Sequence, residues 1–158
     1  MSKHRADLYS LAVATTCFLV LLISHSNIIY WISGDLVDLS NLYSAVFGWS
    51  SIQTGFLFAV YGFISGKGND FLKAVARTKA MEKYNTSLGS AIFVGFALTI
   101  TSMPLLVIPL EPAVFNIWYV IIAAWFSLFV WAFLLFCNVA YTFGVIATVK
   151  ENTDIPAR

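Results

Sequence analysis

The chain has 158 residues, of which 59% are hydrophobic, 16% aromatic and only 11% charged. A soluble domain carries about 25% charged residues, so folding in water would leave too little polar surface to cover the core. The net charge of +1 selects no nucleic-acid partner by itself, and the placing of the charges is the informative feature.

Lys3 and Arg5 open the chain, and an apolar run follows over residues 8–32, free of charge apart from the neutral-capable His25. About 20 apolar residues cross a bilayer, and this run exceeds the roughly 7–15 of a secretory signal. Ser24-His25-Ser26-Asn27 leads straight into Ile28-Ile29-Tyr30-Trp31 and makes no clean cleavage site. A retained first span is expected.

Asp35 and Asp38 lie in the loop beyond it. The second span, residues 43–66, is uncharged. Its small residues Ser44, Gly48, Ser51, Gly55, Ala59, Gly62 and Gly66 recur every three or four positions. At about 100° per residue they fall within an arc of about 80°. Such a stripe lets another helix approach closely, and van der Waals contact is the main glue between helices in lipid. The expected use is packing inside one subunit; the alternative is a subunit interface or a pore lining. Gln53 projects roughly opposite the stripe and asks for a separate partner, a neighbouring subunit or water, to satisfy its amide.

Residues 67–86 form a basic loop holding Lys67, Lys73, Arg77, Lys79 and Lys83, five of the nine cations. Helix-favouring residues over 71–84, with Asn69 or Asp70 as cap, predict a short cytoplasmic helix resting on anionic headgroups or offering a partner surface. The third span covers residues 87–108, with Ser87, Ala91 and Gly95 as a shorter small series. After Glu111 comes the fourth, 114–140, with Asn138 near its inner end as a further interhelical or pore contact. Its neutral run continues to Val149, so this helix tilts or projects beyond the lipid. Tyr30, Trp31, Tyr43, Trp49, Trp118 and Tyr119 fit an outer aromatic belt.

All nine cations lie at the N-terminus, in the middle loop or in the tail with Lys150 and Arg158, while the other two loops carry only acids. The positive-inside rule puts those three segments in the cytoplasm. The expected fold is therefore one all-α domain, an integral-membrane four-helix bundle with both termini inside.

Cys17 and Cys137 fall inside spans, where cysteine behaves as a small apolar residue. His4 and His25 are far apart, and no metal spacing, nucleophile elbow or phosphate loop occurs. No span contains an Asp or Glu for proton coupling. Neither a catalytic residue nor a cofactor or metal site is expected, and an enzyme is not.

Four short spans, the Gly/Ser-rich stretch from Gly48 to Phe58, and the basic Phe71-Leu72-Lys73 segment with Tyr84 leading into span three make up a layout. It resembles the small four-span membrane proteins of bacterial anti-phage systems, the KwaA family of Kiwa systems and the RexB-like exclusion proteins. The resemblance implies a bacterial inner-membrane homo-oligomer, a tetramer, that responds to phage infection. A KwaA-like protein would sense at the membrane and dock a cytosolic effector, without touching nucleic acid itself. A RexB-like protein would conduct ions and depolarise the cell. No ring of charged side chains is on hand for a pore, and the loop cations offer a partner or lipid surface, so the scaffold is preferred. An accessory subunit of a larger transporter or respiratory complex is the third reading.

Overall fold

A computed structural model describes residues 3–66, 79–108 and 115–151, and every structural statement below refers to them. They form five helices: α1 Lys3–Ile23, α2 His25–Ser33, α3 Leu39–Gly66, α4 Lys79–Val107 and α5 Ile117–Glu151. Within α4 and α5, Tyr84–Val107 and Ile117–Gly144 are long and apolar enough to cross a membrane, and α1 with α2 adds a third crossing if the bent pair is one span. α3 has 28 residues and no charge, but Ser50, Ser51, Gln53, Thr54 and its glycines dilute its hydropathy.

The core is built by α3, α4 and α5. On α3 the buried positions Leu39, Tyr43, Val46, Ser50, Gln53, Leu57 and Val60 alternate steps of four and three, with Thr54 buried beside them. On α4 Met81, Tyr84, Leu88, Ala91, Gly95, Leu98, Ser102 and Leu105 show the same alternation, with Val94 buried beside them. A 3.5-residue repeat keeps one seam of each helix facing its partner along the whole contact. Ser50 meets Thr99 and Thr54 meets Gly95, so the two helices run antiparallel. α5 covers this pair with Ile122, Trp125, Ala132, Leu135 and Val139. α1 packs mainly on α5 and adds no residue to the core cluster. The arrangement is thus a three-helix core with α1 laid on its outer helix.

The first span is not one straight helix. α1 and α2 meet at Ser24 with a bend of 70°. The hydrogen-bond ladder lapses there, and the Asn27 and Ile28 N–H groups turn to the Ser24 carbonyl. Two carbonyls at the lapse are taken by side chains. The Tyr119 hydroxyl donates to Leu21 O at 2.6 Å, and His25 Nδ1 donates to Leu22 O at 3.1 Å. With its proton on Nδ1, the His25 ring accepts from Ser26 Oγ at Nε2. A sharp kink needs such partners for the carbonyls it frees. Tyr119→Phe removes one of them and is expected to cost about 1–3 kcal/mol, read as a lower midpoint in denaturation of the detergent-solubilised chain.

The loops that carry the acids start the next helices. Asp38 caps α3 by accepting from the Asn41 backbone N–H at 3.1 Å and from Asn41 Nδ2. Asn116 caps α5 by accepting from the Tyr119 N–H at 3.1 Å. Negative charge at a helix N-terminus suits the helix dipole.

Two further expectations change. Lys79–Tyr84 are the first turns of α4, continuous with the third span rather than part of a separate loop helix; residues 71–78 lie outside the described residues. α5 has 35 residues, about 52 Å at 1.5 Å per residue, much longer than one crossing. Of the aromatic belt, Tyr30, Trp31 and Trp118 face outward, but Tyr43 and Tyr119 are buried. Tyr43 packs edge-on against Trp125, and Trp49 sits among Phe129, Phe133 and Phe136.

Candidate functional site

α3 presents two opposed faces. The inward face carries a polar layer halfway along the helix. Gln53 is 2% exposed, and its Nε2 donates to the Ala132 carbonyl of α5 at 3.1 Å. The neighbouring Thr54 is also buried, pressed against α4 at Gly95. A Cβ on Gly95 would stand 2.7 Å from Thr54 Oγ1 and 3.7 Å from Gln53 Nε2, so only glycine admits α3 this closely. One turn away Thr99 Oγ1 donates to Ser50 Oγ at 3.1 Å. Further along, Trp125 Nε1 donates to Ser102 Oγ at 2.9 Å, and Ser102 donates to Leu98 O. A polar seam therefore runs through all three core helices.

That seam is incompletely satisfied. Gln53 Oε1 and Thr54 Oγ1 are buried with no hydrogen-bond partner, as are the hydroxyls of Tyr43 and Tyr84. Each such group costs about 1–3 kcal/mol. What the layer contributes is register: a slip by one heptad layer would move Gln53 from Gly95 onto a leucine or alanine, where its bulk and amide have no place. A single polar position in an apolar seam fixes alignment in this way.

The outward face holds the small-residue stripe. Ser44, Ser51, Gly55, Ala59 and Gly62 are exposed and Gly48 is half-buried. Nothing lies within 4 Å of a Cβ placed on Gly48, Gly55 or Gly62. The expectation that the stripe packs helices inside one subunit is therefore overturned: within this chain the close approach is made by Gly95, and the stripe is left facing out. Gly66 ends α3. Gln53, expected to need a neighbouring subunit or water for its amide, instead donates within its own subunit.

Asn138 does not join the polar layer. It lies six residues past Ala132 on α5, about 9 Å along the axis, half-buried, its carbonyl accepting from Thr142 Oγ1 at 2.8 Å. Lys67, Lys73 and Arg77 lie outside the described residues, whereas Lys79 and Lys83 belong to the first turns of α4. Among the described residues no three His, Cys, Asp or Glu gather as metal ligands. Sequence reasoning passed over Ser50, Thr99 and Ser102. The alternation of fours and threes through residues 39–60 and 81–105 was the signal that marks Ser50 and Ser102 as core.

The chain has no significant match to any family model, to any curated protein or to any solved structure.

Proposed function

We propose that this chain is a self-associating integral-membrane scaffold of a bacterial anti-phage defence system. Its spans are α1, α3, α4 and α5, with both termini in the cytoplasm, and it docks a cytosolic effector. The observation that carries the self-association is the outward stripe of α3: Gly48, Gly55 and Gly62 have open space where a side chain would be. A smooth helix face in lipid gains contact energy only when another backbone closes on it, and a second copy supplies the same smooth face. Four copies ringed about α3 would bury all four stripes. The sidedness rests on the nine cations, the defence role on the resemblance of layout. The effector meets the basic segment 67–86 and the inner end of α5, which outruns one bilayer thickness.

Gly55→Leu tests the stripe cleanly. Because the added side chain meets nothing in its own subunit, helicity and thermal midpoint in detergent are expected to stay unchanged. The particle mass should fall to that of a single chain. Unchanged oligomer mass in both Gly55→Leu and Gly62→Leu would remove the interface. For the defence role, the chain is expressed with a neighbouring gene for a cytosolic effector and challenged with phage. Plaque counts should drop only when both are present, and the drop should vanish with Gly55→Leu. Equal plaque counts with and without the chain sink the defence assignment, and robust ion flux from purified chain in liposomes would turn the scaffold into a pore.

A further inference from the structure

The bend at Ser24 gives α2 a place of its own. His25, Ile28, Ile29 and Ile32 are half-buried along one side, spaced as one helix face, and Ile32 packs against the core cluster. His25 also meets the ring of Phe115 at 4.9 Å, just ahead of α5. Ser26, Asn27, Tyr30, Trp31 and Ser33 are exposed, Tyr30 at 72%. At 100° per residue, Trp31 and Ile28 share one edge of the helix while Ser26 and Ser33 share the other.

We propose that α2 is an interfacial helix, lying on the membrane face that carries the Asp35–Asp38 loop, with its Ile28/Trp31 edge in the acyl boundary and its Ser26/Ser33 edge in water. The inference rests on α1 crossing the bilayer without α2: its 21 residues reach about 31 Å at 1.5 Å per residue, close to the thickness of the hydrocarbon core. A helix turned 70° from such a span leaves the crossing direction and runs along the surface where the span ends. Its make-up agrees: one apolar edge, one hydroxyl edge, and a Tyr–Trp pair of the kind that settles at headgroup level. Its charge names the lipid. α2 has no Lys or Arg, and Asp35 and Asp38 follow it, so anionic headgroups offer no attraction. The partner is the interfacial zone of zwitterionic phospholipid, reached through area and aromatic anchoring alone.

The test uses the full chain in phosphatidylcholine liposomes, with Cys17→Ala and Cys137→Ala removing the native thiols. Single cysteines at Ser26, Tyr30, Trp31 and Ser33 carry nitroxide labels, and Val20→Cys is the span control. Power-saturation EPR reads collision with oxygen against collision with a water-soluble nickel chelate. The oxygen-to-nickel ratio should be several-fold lower at positions 26 and 33 than at 20, with 31 between them. Replacing a third of the lipid by phosphatidylglycerol, or raising the salt, should leave all values in place. Ratios at 26–33 equal to that at Val20 would make α2 a membrane-buried half of a broken span and overturn the proposal. Uniformly aqueous values would overturn it too, as would deepening on anionic lipid. An aqueous ratio at Val20 itself would instead fault the crossing of α1. Four label sites guard against any one variant failing to fold.

Discussion

Gly95→Leu is expected to abolish the folded chain, and Gly95→Ala to lower its stability by about 1–3 kcal/mol. Alanine would favour the helix by about 1 kcal/mol in isolation, so the sign of the result is diagnostic. The reason is contact: the new Cβ would meet Thr54 Oγ1 at 2.7 Å. Thr54 is β-branched and stiff at χ1 within a helix, so it does not give way freely. Thr54→Ala should therefore rescue Gly95→Ala, restoring most of the loss, since the two residues touch and their effects cannot add independently. Reversible denaturation in mixed micelles supplies the four corners of the cycle. Additive effects would mean that α3 and α4 do not meet at this point.

Gln53 gives the second large effect, and it depends on pH. Gln53→Leu discards both an interhelical donor and an unpaired carbonyl oxygen, so stability should stay within about 1 kcal/mol of the parent. Gln53→Glu should behave differently. As a neutral acid its O–H can still donate to the Ala132 carbonyl. As a carboxylate it would be a charge buried among Leu57, Ala132 and their neighbours. Burying that carboxylate without a partner is costly, so the variant should keep its stability at acid pH, where the group holds its proton, and lose it as rising pH ionises it. At neutral pH the deficit relative to Gln53→Leu should reach about 3 kcal/mol. A flat pH profile for the glutamate variant would mean that water reaches the layer.

The long neutral runs made α3, α4 and α5 legible, because charge is what a span excludes, and the outer ends of the runs fell near the observed caps. Which way α3 faces was not. Its core seam and its small-residue stripe are both uncharged and both repeat at about 3.5 residues, and lipid does not sort apolar from small as water sorts apolar from polar. Glycine spacing drew attention to Gly48, Gly55 and Gly62, whereas the glycine that matters for packing is Gly95, set by its register against Thr54. The break at Ser24 left no mark either. Residues 8–33 contain neither glycine nor proline, and the carbonyl it frees is met by a tyrosine 98 positions later. Tyr43 and Tyr119 misled for a related reason: an aromatic near a span end reads as a belt residue until a partner across the core claims it.

That α1 leans on α5 orders the making of the protein. α3 and α4 are consecutive helices and can pair while the ribosome is still working. The first helix has its main partner in the last. Leu21 must wait for Tyr119, a separation of 98 residues, which takes about 5–20 s at ordinary elongation rates. During that interval α1 lacks its main partner, with its Ala14 and Ser10 side uncovered. Its docking is the closing step of assembly, so truncations that remove α5 should strand α1 while leaving the α3–α4 hairpin paired.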